Sequence, residues 1–166
     1  TNSYAVLNVL LDDRSGGEVH SEGNLKWTNT SGASAACATG TFLASGKIYF
    51  EAYLNTVGAE ANIGFGRADE TNSLLSPGGS ANDGTFVYNC QAGTFYNGAS
   101  SDTGPSAVSA GSVVSVAYDQ ATGKTWFAVD GTWYNSGDPA AGTNASFTIS
   151  SSFIDKLVPL VGGYNN

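Results

Sequence analysis

Few side chains in this sequence have the type and spacing that catalysis requires. His20 is the only histidine among 166 residues. It sits in a short polar segment between Gly17 and Gly23, with no Gly-x-Ser-x-Gly elbow or other nucleophile pattern, so acyl transfer has no candidate set. His20 therefore reads as a surface or structural residue. Cys37 and Cys90 lie far apart and form no Cys-x-x-Cys, so no metal site is suggested; they either make one disulfide or stay as two buried thiols. Glycoside hydrolysis needs a pair of carboxylates. No strand-like segment carries Asp or Glu at both i and i+2, and Glu51 stands alone between Phe50 and Ala52. A hydrolase would have to assemble its pair from separate strands. No cofactor is expected. Asp12-Asp13, Asp69-Glu70 and Asp83 offer oxygens that Ca²⁺ uses, but without the alternating loop of an EF-hand. Asp69, Glu70 and Asp83 are the Ca²⁺ candidates, and solvated acidic loops are the plainer alternative.

The aromatics make a stronger case, and it is a case for binding. Trp133, Tyr134 and Asn135 follow an Asp130-Gly131 turn and lead into a Gly-rich segment. A flat apolar ring beside directional amide groups suits a sugar or a protein anchor. Tyr96 and Asn97, ahead of the segment Gly98 to Gly111, form a second such group. The alternative for both is that the rings only cap the core. Asn29-Thr30-Ser31 and Asn144-Ala145-Ser146 fit the N-glycosylation pattern, as chance allows in a chain so rich in Asn, Ser and Thr.

Charge narrows the partners. Fourteen acidic against six basic residues give a formal −8, and the basic ones are scattered singly. Nucleic acid and anionic membrane surfaces are thus poor partners. No apolar run approaches the roughly 20 residues that span a bilayer, and the N-terminus is unlike a signal peptide. Met is absent even at position 1, so the chain is expected to be a piece of a longer protein.

The elements that must position these residues are strands. Gly, Ser, Thr and Asn make up 71 of the 166 residues and only 12% are charged, which excludes a helical bundle. A hydrophobic content of 41% excludes disorder. The length fits one domain, 1–166. Short β-branched and aromatic runs separated by Gly, Asn, Asp and Pro predict strands over Tyr4 to Leu7, Leu25 to Thr28, Lys47 to Asn55, Ala61 to Arg67, Thr85 to Asn89, Val113 to Tyr118, Lys124 to Val129, Phe147 to Ile149 and Val158 to Val161. In the third, Ile48, Phe50, Ala52 and Leu54 share one face, and Lys47, Tyr49, Glu51 and Tyr53 the other. Gly64 and Gly66 leave one face of their strand bare for close packing. Turns at Asp119 to Gly123 and Asp130-Gly131 make Val113 to Trp133 an antiparallel meander. Asp69 to Gly84, Gly98 to Gly111 and Ser136 to Ser146 read as long polar loops.

The order of these features resembles the SPRY domain, a concanavalin-like β-sandwich. Gly46-Lys47-Ile48-Tyr49-Phe50-Glu51 is similar to the family's opening Gly-Lys strand, and Gly23-Asn24-Leu25 to the short strand before it. Ile63-Gly64-Phe65-Gly66, Tyr88, Tyr96-Asn97-Gly98 and Gly111 to Val116 follow in order. Then come Tyr118-Asp119 and Gly123-Lys124-Thr125-Trp126-Phe127-Ala128-Val129-Asp130-Gly131, with Asp130 in the usual Asn position. Ser112 stands where the family has Asp, and Ser115 where it has a second Gly. The family pattern makes both Trp126 and Phe127 structural and gives Glu51 a place on the sheet.

The resemblance implies an all-β, antiparallel two-sheet sandwich of the concanavalin-like jelly-roll type, serving as a non-catalytic binding module. Gly131 to Asn144 resembles SPRY-like domains of phage and prophage structural proteins. That implies a tail or virion protein at an extracellular surface, with the rest of the larger chain as one partner and a host surface glycan or protein as the other. Trp133, Tyr134, Asn135, Tyr96 and Asn97, at loop edges, are its expected ligand-binding residues, and the loops Asp69 to Gly84, Gly98 to Gly111 and Ser136 to Asn144 its variable surface. A structural module for virion or tail assembly, and a glycan hydrolase on the same sandwich, are the alternatives.

Overall fold

The computed structural model describes residues 6–9, 18–30, 36–58, 60–69, 84–98 and 100–164. Among them the regular structure is nearly all strand: β1 Leu7–Asn8, β2 Glu18–Ser21, β3 Lys26–Asn29, β4 Ala36–Gly40, β5 Lys47–Tyr53, β6 Glu60–Arg67, β7 Thr85–Asn89, β8 Thr94–Asn97, β9 Ser100–Thr103, β10 Val113–Asp119, β11 Lys124–Val129, β12 Thr132–Trp133, β13 Phe147–Thr148 and β14 Leu157–Tyr164. Every pairing is antiparallel. One sheet runs β1-β4-β14-β6-β7-β8-β9, the other β12-β11-β10-β5 with β13 also on β11, and β2-β3 form a separate hairpin.

The two large sheets close on an aromatic core. Ile63 and Phe65 of β6, Phe86 and Tyr88 of β7 and Phe95 of β8 meet Val114, Val116 and Tyr118 of β10 and Phe127 of β11. Phe65 lies 5.1 Å from Tyr118 and 5.6 Å from Phe50 between ring centroids, and Phe95 lies 5.2 Å from Phe127. Such offset and edge contacts add to the transfer free energy of burying the rings. The strand β5 shows how alternation built this. Lys47, Tyr49, Glu51 and Tyr53 are exposed while Ile48, Phe50 and Ala52 turn to the core, as the period of two requires.

At Gly64 a side chain is forbidden. A Cβ there would fall 2.3 Å from the Phe86 carbonyl oxygen on the neighbouring strand, so the bare face expected of this segment lets β6 and β7 approach. The Asp130-Gly131 turn has φ of 48° and 79° at its two residues, the left-handed pair that a two-residue hairpin needs. The Asp130 carboxylate fixes it further, accepting a hydrogen bond from the Val113 N–H at 2.8 Å.

Several elements differ from the sequence reading. The segment Gly98 to Gly111, read as loop, contains the edge strand β9, whose exposed Ser-Ser-Asp-Thr has no hydrophobic alternation to betray it. The small residues of β4 and the short β2 and β8 give equally little signal, whereas β12 is the last arm of the expected meander. Ser136 to Ser146 contains a tight turn: Asp138 and Thr143 exchange both backbone hydrogen bonds, and the Asp138 carboxylate accepts from Ala141 N–H. Most of Asp69 to Gly84, and Tyr4, Asp12 and Asp13, lie outside the described residues.

Candidate functional site

The outward face of the sheet β12-β11-β10-β5 is built in rows, because antiparallel partners project to the same side. Glu51, Ser115, Ala128 and Trp133 form one row. Tyr49, Ala117 and Trp126 form the next, and Tyr53 with Val113 the one on the other side. In the first of these rows the middle strands carry only Ser115 and Ala128 between Glu51 and Trp133, whereas in the next Trp126 stands on β11. The result is a shallow trough of about 500 Å³ lined by Tyr49, Glu51, Ser115, Ala128, Asp130 and Trp133 among others. A second depression, lined by Pro105 to Ser109, shares Asp130 and Trp133 with it.

Two rings bound the trough. Tyr49, 57% exposed, and Trp133 lie 6.4 Å apart between centroids at 59°. Tyr53, 61% exposed, extends the aromatic edge along β5. The Tyr49 hydroxyl donates to Glu51 Oε1. That carboxylate holds the Tyr49 proton and raises its pKa above the ordinary phenol value, partly opposed by the Ser115 hydroxyl. One end of the face is closed by Trp126, which is 1% exposed beneath the turn at Gly137 to Asn144 and donates its indole N–H to the Thr143 carbonyl at 2.7 Å. The Lys124 ammonium donates to the Gly142 carbonyl at 2.8 Å and fixes the same turn. Trp126 and Phe127 thus face opposite ways and are both structural.

The residues expected to bind separate in the structure. Trp133 reaches the trough. Tyr134 turns inward, stacking edge-on against Phe95 at 5.2 Å and donating its hydroxyl to the Thr103 carbonyl at 3.0 Å, so it holds β9 to the end of the core. Asn135 is exposed with φ 54° in the short 3₁₀ segment Tyr134–Ser136. Tyr96 projects from the outer face of the other large sheet, against Cys37, Val87 and Leu160. Asn97 donates from Nδ2 to the Thr148 carbonyl at 3.2 Å, linking β8 to β13. Tyr96 and Trp133 therefore lie on opposite outer faces and cannot share one ligand. Tyr49 and Ser115 were not singled out from the sequence as binding residues, and Glu51 was given a structural place. The signal for Tyr49 and Glu51 was the exposed half of the β5 alternation; Ser115, on β10, carried none.

The remaining candidates have other surroundings. The Asp69 carboxylate is held between Arg67, at 3.0 and 3.2 Å, and Lys156 at 3.0 Å. Hydrogen bonds from Arg67, then Lys156, lower its pKa to about 2. Glu70 and Asp83 lie outside the described residues, among which no three His, Cys, Asp or Glu groups converge on a metal position. Cys37 and Cys90 are both buried thiols outside any disulfide, Cys37 on the outer face of its sheet and Cys90 in the core. Burial pushes the Cys90 thiol up to about 12. Asn29 is buried with its Nδ2 donating to the Gly163 carbonyl, whereas Asn144 is exposed. Among the described residues, no helix is long and apolar enough to cross a membrane.

Comparison with known proteins places the fold. No family model matches the chain, and no curated protein matches it. Among solved structures it is similar to the SPRY domain of human HERC1, at a TM-score of 0.69 and 14% identity, over 96% of this chain and 91% of that one. The chain has a SPRY-like β-sandwich fold, as the order of its motifs implied.

Proposed function

We propose that this SPRY-like sandwich is a non-catalytic recognition domain of a phage or viral structural protein, attaching to a host surface glycan or protein. The observation that supports it is the trough: two partly exposed rings over a floor of Ser115 and Ala128, with the carboxylates of Glu51 and Asp130 beside them. Exposed rings gathered around a concavity suit a ligand better than the solvent they face. The virion setting rests on the resemblance of Gly131 to Asn144 to phage structural domains, and with it a place at the particle surface, carried by the rest of that protein. Nucleic acid and membrane lipid fit poorly with a chain of formal charge −8.

The test is direct binding of the labelled domain to host cells and to a glycan array, with and without chelator. Trp133→Ala should lower binding at least about tenfold, the loss expected of a central aromatic anchor, with an unchanged melting temperature. Tyr96→Ala, on the opposite face, should leave binding intact. Wild-type binding by Trp133→Ala would overturn this site. An assembly module would instead show no host binding while particles lacking the domain fail to form.

A further inference from the structure

We infer that the trough takes a cationic side chain, an arginine or lysine presented by a protein partner; this rests on the recognition reading above and specifies its ligand. Of the side chains that line the trough, Glu51 and Asp130 are acceptors, and both are solvent-exposed. Ser115 is 4% exposed, and the Tyr49 hydroxyl is already donated to Glu51. No Asn, Gln, Lys or Arg is among the lining residues. Apart from the Trp133 indole N–H and the Ser115 hydroxyl, the polar side-chain groups still open are carboxylate acceptors, so acceptors outweigh donors. A sugar presents hydroxyls that must both donate and accept, whereas guanidinium and ammonium only donate.

Charge points the same way. Two carboxylates and two ring faces, Tyr49 and Trp133, form one negative surface without a positive group inside it. The neighbouring cations on this face are engaged elsewhere, Lys47 with Asp119 at 3.9 Å and Lys124 with the Gly142 carbonyl. One oxygen of each trough carboxylate is already used, Glu51 Oε1 by Tyr49 and Asp130 Oδ1 by the Val113 N–H. The second oxygen of each points to the role a guanidinium fork fills, with its plane against an aromatic face. A protein is the source because β5 pairs only with β10 among the described residues. Along its other edge, beside Tyr49, Glu51 and Tyr53, no described strand pairs, and an extended segment carrying the basic residue can add there.

The experiment titrates the domain with a capped pentapeptide, Gly-Ser-Arg-Ser-Gly, and with the same peptide carrying citrulline, which keeps the shape and removes the charge. The readout is the Trp133 indole N–H resonance, with Trp27 and Trp126 as internal references. The arginine peptide should shift Trp133, bind at least about tenfold more tightly than the citrulline peptide, and weaken as salt rises. Glu51→Gln and Asp130→Asn, which preserve shape, should each reduce its affinity several-fold. Equal binding of the two peptides would overturn the inference. So would a Trp133 shift produced by neutral glycans but not by the arginine peptide. If neither peptide moves Trp133 while Trp133→Ala still abolishes host binding, the cation assignment fails and the recognition reading stands. If Trp133→Ala also binds normally, both fail.

Discussion

Tyr49 and Trp133 face each other with 6.4 Å between ring centroids, although they stand on β5 and β12, the two outer strands of a four-strand row. Tyr49 and Trp133 stand in adjacent rows, and their rings can approach because the middle strands present only Ser115 and Ala128 in the row of Trp133. A bulky residue at either position would hold the rings apart. The trough is thus the consequence of small residues in the row of Trp133, with Trp126 in the next row closing its end. It is also next to the Asp130-Gly131 turn, so the geometry of the site depends on that turn.

Asp130 has two tasks that substitution can separate. It adopts φ 48° and accepts the Val113 N–H at 2.8 Å. Asn tolerates that conformation and keeps the acceptor, so Asp130→Asn should leave stability within about 0.5 kcal/mol of wild type. Asp130→Ala loses the hydrogen bond and strains the turn, at a cost of about 1–2 kcal/mol. Urea unfolding of the two variants checks this, and equal stability would show that the side-chain bond contributes nothing.

Gly64→Ala tests the close approach of β6 and β7. The added Cβ would meet the Phe86 carbonyl oxygen at 2.3 Å and the Val87 Cα at 2.8 Å, both backbone atoms within the sheet. Neither can swing aside as a flexible side chain would. The expected loss is at least about 2 kcal/mol, seen as a lower denaturant midpoint. Gly23→Ala, where a Cβ meets nothing within 4 Å, is a control for the left-handed φ alone.

Stability should fall at alkaline pH. Burial raises Cys90 from 9.0 to about 12, and burial with the nearby Asp119 and Asp155 charges raises Tyr118 from 10.0 to about 12. The neutral forms are favoured in the folded state, so their contribution is fully present below pH 9 and is lost as pH rises toward 12. Cys90→Ser should move the onset of alkaline unfolding if the thiol contributes. A melting temperature flat from pH 8 to 11.5 would refute the coupling.

The sequence by itself determined the all-β class, the two faces of β5, the Asp-Gly turn and the need for a bare position at Gly64. Each is local, carried by a period of two or by the φ that a residue type tolerates. It also named Trp133 as a candidate for binding or for capping the core, and the family pattern gave Trp126 and Phe127 structural places. It did not reveal β9 or β4, because polar or small residues carry no alternation and their strands form only through their neighbours' ladders. Above all it did not reveal that Tyr49, Glu51, Ser115 and Trp133 make one surface, or that Tyr96 faces the opposite way. Those are decided by cross-strand register between segments distant in the chain, since a shift of one residue would turn each of these side chains to the other face. Composition and periodicity specify what a strand presents; only the tertiary pairing decides beside what it is presented.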